Sequence, residues 1–180
     1  MKRPSSATNL ALAALVVLGL TGPAAVGEEV PFKGRLDGDV IITPLDPPFL
    51  SVLVEGTGNA THLGQFAWAS LFVANVATGE ANGSYQFTAA NGDMLFADFT
   101  GEATPTATPG VFSSVDTATI TGGTGRFAGA TGSFISERLF DTTAGTTFGS
   151  FNGTIASTGV AKRSKSGAGR ATAGAKRANS

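Results

Sequence analysis

The sequence predicts an all-β protein, a single eight-stranded antiparallel up-and-down β-barrel. Three observations predict it. No stretch of the central chain keeps apolar residues at helical spacing over three turns, and Gly, Thr, Val and Phe dominate instead. Turn signals recur at short intervals: DPP at 46–48, TGE at 78–80, NGD at 91–93, TPG at 108–110 and TAG at 143–145. The segments between them are even in number and joined mostly as hairpins, and closing such a sheet removes its two free edges.

Taken in order, the chain begins with Lys2 and Arg3, an apolar run at 10–20 (LALAALVVLGL), and then small residues followed by acids (TGPAAVGEE). This is the layout of a secretory signal peptide, 1–27, cleaved after Gly27. The run is shorter than the roughly 20 apolar residues that a spanning helix needs. The mature chain is therefore expected outside the cytoplasm, secreted or periplasmic. There is no cysteine, so a lipidated amino-terminal Cys is excluded and no disulfide supports the fold.

The barrel domain is expected over 28–161, a usual size for one domain. Its strands read as 31–43, 49–57, 64–74, 82–89, 93–102, 111–121, 132–141 and 146–156. The clearest hairpin is FTAANGDMLFADF, where Asn91-Gly92 suits a tight turn with positive φ. From 162 to 180 the chain carries six basic residues, no acid and no large apolar side chain, the composition of a disordered tail. Residues 28–161 hold four basic against thirteen acidic residues, a net charge of −9, and the tail adds +6. An acidic body with a basic tail suits an anionic surface. No aromatic residue interleaves the tail's charges, so specific nucleic-acid binding is not expected.

The stretch TITGGTGRFAGATGSF, 119–134, raises the question of a nucleotide loop. A dinucleotide fingerprint needs a following helix, and here Gly129 and Gly132 lead into β-like alternation. A phosphate loop needs Lys-Ser or Lys-Thr after its glycines, and neither is present. The stretch reads as a long turn between strands.

Gly122, Gly123, Thr124 and Gly125, followed by Phe127, Ala130 and Gly132, resemble the GGTGxFxxAxG signature of dirigent proteins, and allene oxide cyclases carry a related version. The resemblance implies an eight-stranded antiparallel barrel around an apolar cavity, a trimer, and a structural role for these motif residues. The chain looks like a secreted, bacterial-type relative. The families' catalytic acids do not align onto it, so activity does not transfer. A weak echo of the motif, GTGNATHLGQF at 56–66, suggests a repeated barrel corner.

The chemical inventory is thin. The one histidine, His62, sits in a turn-like stretch with no second His to share a metal, and no calcium-loop spacing or nucleophile elbow is present. No cofactor or metal is expected. Asn59, Asn82 and Asn152 open glycosylation sequons, read as turn chemistry. In GSFISERLFD, Phe134, Ser136, Arg138 and Phe140 share one face, while Ile135, Glu137 and Leu139 share the other. Each face carries a charge, so one charge is expected inside. In MLFADF, Asp98 poses the same question. Asp98, Glu137 and Arg138 are thus the candidate polar groups of an apolar cavity, with Trp68 and Tyr85 as its aromatic walls.

Two functions fit. The favoured one is a non-enzymatic secreted barrel that binds a small apolar ligand or serves in an envelope or matrix. The alternative is a cofactor-free cyclase or isomerase of the allene oxide cyclase or dirigent type, in which cavity shape controls a reactive substrate. Strand 64–74 is apolar on both faces: Phe66, Trp68 and Phe72 alternate with Ala67, Ala69, Leu71 and Val73. A barrel has one interior, so the second face predicts a homo-oligomer.

Overall fold

A computed structural model describes residues 27–160. The signal-peptide reading, apart from Gly27, and the basic-tail reading from 162 onward lie outside the described residues. The strands are β1 (Val30–Pro44), β2 (Phe49–Ala60), β3 (Gly64–Asn75), β4 (Glu80–Ala89), β5 (Met94–Pro105), β6 (Val111–Gly123), β7 (Thr131–Asp141) and β8 (Thr146–Ala156). Each pairs antiparallel with its sequence neighbours, and β8 returns to β1, giving a closed barrel. Every expected strand is present, with its ends within three residues of the expected ones.

Alternation along the strands decides what lies inside. Phe66, Trp68, Ser70 and Phe72 of β3 are buried, whereas Ala67, Leu71 and Val73 face out. Phe32, Phe66, Phe87, Phe134 and Phe151 form an aromatic layer across the interior, with Phe32 lying 4.8 Å from Phe151 and 6.4 Å from Phe87 between ring centroids.

Within the strands, Gly and Phe occur together for one structural reason. Large inward side chains sit opposite glycines on the neighbouring strand. Phe66 pairs with Gly58, Trp68 with Gly56, Phe72 with Gly83, Phe134 with Gly153 and Phe151 with Gly34. A Cβ on Gly58 would lie 2.4 Å from the Phe66 ring, and one on Gly34 would lie 2.8 Å from the Phe151 ring. The rings thus lie flat on bare backbone, the large-on-small packing that a narrow barrel requires.

The two ends differ. At one end the β2–β3 and β6–β7 corners turn Leu63 and Phe127 inward, where they are buried with Ala130 and Val160. The 122–132 stretch builds most of this plug. Gly122 and Gly123 end β6 opposite a register shift between Phe96 and Ala97. Thr124 then bonds twice to the Met94 backbone, its N–H donating to the carbonyl at 2.8 Å and its Oγ1 accepting the N–H at 2.9 Å. A single 3-10 turn, Gly125–Phe127, follows. Gly125 has φ +54°, and a Cβ there would strike the Asp93 carboxylate. Asp93 receives Arg126 at 3.4 Å and the Asn91 amide at 2.8 Å. These bonds, led by the one from Asn91, hold its carboxyl below the usual range. Gly92 takes φ +84°, as the Asn-Gly turn requires. His62 lies in the β2–β3 corner with Nε2 3.2 Å from the Pro31 carbonyl. Asn59, Asn82 and Asn152 lie within β2, β4 and β8 with exposed side chains. Their sequons therefore belong to strands, which corrects the turn reading. The opposite end, bearing the β1–β2, β3–β4, β5–β6 and β7–β8 turns, is open.

Candidate functional site

The open end leads into a cavity of about 480 Å³. Its wall is mostly apolar: Val40, Val52, Phe72, Phe99, Phe112 and Phe140 contribute to it. Two charged side chains at its inner end break that pattern, Asp116 from β6 and Arg138 from β7. Both are essentially sequestered from water, at 1% and 2% exposure.

The pair is tightly built. Arg138 Nη2 donates to Asp116 Oδ2 at 2.5 Å. The Tyr85 hydroxyl donates to the same oxygen at 2.5 Å, and Ser114 Oγ donates to Oδ1 at 2.8 Å. Three donors converge on one carboxylate, an arrangement that suits its acceptor form and offsets the cost of burying its charge. Burial pushes the Tyr85 phenol well above the ordinary tyrosine value; the Arg138 charge opposes this, and the Asp116 charge and hydrogen bond reinforce it.

Local sequence makes room for the pair. Asp116 lies opposite Gly101 in β5, and Arg138 opposite Gly149 in β8. A Cβ on Gly101 would strike the Asp116 carboxylate, and one on Gly149 would crowd the Arg138 stem at 2.7 Å. The guanidinium is enclosed by aromatic rings, 4.7 Å from the centroid of Phe140, 5.3 Å from Tyr85 and 5.7 Å from Trp68. Despite this enclosure Arg138 Nε and Nη1 have no hydrogen-bond acceptor. Arg138 thus keeps two idle cationic donors, buried beside the apolar cavity that the residue lines.

The sequence candidates divide accordingly. Arg138 lines the cavity. Tyr85 and Trp68 are buried in the layer against the ion pair rather than in the cavity wall. Asp98 and Glu137 are exposed on the outer face, which corrects their reading as cavity groups. Alternation explains it: Leu95, Ala97 and Phe99 turn inward on β5, and Phe134, Ser136 and Phe140 turn inward on β7. Asp116, the actual partner of Arg138, was not among the candidates. Its signal was present, since Ser114, Asp116, Ala118 and Ile120 share one face of β6, the strand next to that of Arg138.

The closed barrel of eight antiparallel strands, with the 122–132 corner across one end, has the layout that the dirigent resemblance implied. The fold is a closed, eight-stranded antiparallel up-and-down barrel. Among solved structures the chain is similar to the pterocarpan synthase dirigent protein GePTS1, with 14% identity, 76% of this chain and 88% of that chain covered, and a TM-score of 0.48. No protein-family model matches the sequence, and no curated relative does.

Proposed function

We propose that this barrel binds one small, chiefly apolar molecule in the open-end cavity and anchors an oxygen acceptor of that molecule on Arg138. The observation that carries this reading is the pair of unpartnered donors, Nε and Nη1, buried beside an apolar cavity. A buried donor without an acceptor costs about 1–3 kcal/mol, more when charged, and a ligand carbonyl, ether or hydroxyl would recover it. The apolar wall would supply the affinity and Arg138 the orientation.

The same reading takes the protein to be exported, on the basic, apolar, small-residue order of 1–27. It takes the +6 tail to contact an anionic surface. It also takes the barrel to assemble as a homo-oligomer, a trimer first, supported by exposed Leu71, Ile135 and Phe148 on the outer wall.

A cofactor-free isomerase or cyclase is the second reading. Asp116 favours it, because a partnered carboxylate fixes the guanidinium where charge developing on a substrate oxygen would meet it. Native mass spectrometry of protein from its own host tests the binding reading. A retained small-molecule mass, lost in Arg138→Met, is expected. Ligand-free protein that also fails to take up the neutral dye Nile red would contradict it.

A further inference from the structure

The cavity mouth is bordered by apolar side chains that face water. Ile42, Leu45, Phe49 and Val76 are 40%, 45%, 43% and 63% exposed. Two adjacent turns hold them together. The Leu45 N–H donates to the Phe49 carbonyl at 3.1 Å, and the Val76 N–H donates to the Pro48 carbonyl at 2.9 Å. Ile42 and Val76 also line the cavity, so rim and cavity form one continuous apolar surface. The surface continues down the outer wall through Ile41 and Leu71, which flank Leu53 in register.

The charges around this rim share one sign. Asp46, Glu80, Glu102 and Asp141 stand at the open end, by the turns or strand ends. The four basic residues of the described chain are elsewhere: Lys33 and Arg35 near the start of β1, Arg126 in the plug and Arg138 inside.

We propose that the open rim docks on a zwitterionic lipid surface. Leu45, Phe49 and Val76 enter the headgroup region, and the carboxylates face the outward trimethylammonium groups of phosphocholine. An anionic lipid face would be repelled by the same carboxylates. Docking in this orientation joins the lipid phase to the cavity, so an apolar ligand passes between them without crossing water.

Sedimentation of the full chain with phosphatidylcholine vesicles at physiological salt tests this, because neutral vesicles offer the basic tail no anionic partner. The variant is Leu45→Asp with Phe49→Asp, two rim positions outside the cavity wall. Wild-type protein is expected to sediment with the vesicles, and the variant to bind about tenfold less or weaker still, having lost two inserting apolar side chains. Circular dichroism and Nile red uptake in vesicle-free solution show whether the variant keeps its fold and cavity. They also separate failure of docking from failure of the binding reading. Wild-type protein that stays in the supernatant overturns the proposal, and so does a folded variant that sediments as well as wild type. A variant that instead turns an oligomer into a monomer, with no vesicle binding in either form, gives the rim to a second copy of the chain and also overturns it.

Discussion

The two ends of this barrel are made from the same eight strands and follow the same inward–outward alternation, yet one is sealed and the other is open. The difference lies in the corners. At the sealed end glycine-rich corners turn large apolar residues back inside, Leu63 after β2 and Phe127 after β6. Arg126 ties the β6–β7 corner to Asn91 and Asp93 of the β4–β5 turn and to the Leu63 carbonyl of the β2–β3 corner. At the open end the turns are rich in Thr, Pro and Gly, and their largest side chains stay exposed instead of filling the lumen, Leu45 at 45% and Val76 at 63%. Corner sequence therefore sets where the cavity lies, and the strands beneath it set what the cavity contains. The glycine motif at 122–132 thus seals the end opposite the cavity.

Substitutions can break this division of labour. The largest effect is expected at the ion pair. Asp116→Ala leaves the Arg138 charge buried without its partner and should cost about 3–5 kcal/mol in denaturant unfolding. Replacing both Asp116 and Arg138 by Leu should recover most of that loss, since no charge remains buried. A double variant as unstable as the single one would show that the pair is needed for packing rather than balanced against its own desolvation. At the sealed end Phe127→Ala should cost about 3 kcal/mol through the cavity it creates. It should leave Nile red affinity unchanged in the fraction that stays folded, and a parallel loss of affinity would mean the two ends are not independent.

Alkali probes the inner boundary of the cavity. Tyr85 is the chain's one tyrosine, so tyrosinate absorbance reports it alone. Its raised folded value favours the neutral phenol, whereas the unfolded chain ionises near pH 10. The stability from this group is complete below that pH and is lost as pH rises beyond it. Absorbance should stay flat past about pH 10 and appear only with unfolding. Ordinary titration in the folded protein would place Tyr85 in contact with water. The smallest effects belong to Glu137→Gln and Asp98→Asn, each expected within about 0.5 kcal/mol and without effect on dye uptake, since both side chains face solvent.

Much of the fold was legible because its signals are local. Asn91-Gly92, the Pro- and Gly-marked turns and the period-two alternation of β5 and β7 each needed only a few adjacent residues. The site was legible only in part, because a strand shows which residues share a face but not which face is inside. Arg138 and Glu137 stood on opposite faces of one strand, each with apolar neighbours. The choice rests on Phe134 and Arg138, which need the space left by Gly153 and Gly149 of β8, and that pairing appears only with the register. Asp116 escaped notice for the same reason. It sits in SSVDTATI, where short polar and small side chains on its own strand hide a buried position. Its partner is on β7, and only the β6–β7 register brings the two together.

The decisive property of this barrel is whether its open-end cavity holds a ligand. Nile red titration of wild-type protein, compared with a variant in which Ala74→Trp fills the cavity from its wall, measures this. Saturable binding to wild type, weakened about tenfold or more by the filled cavity with the melting transition retained, is the predicted result. Equal affinity in the two proteins would place the dye elsewhere and contradict the assignment of the open end as the binding site.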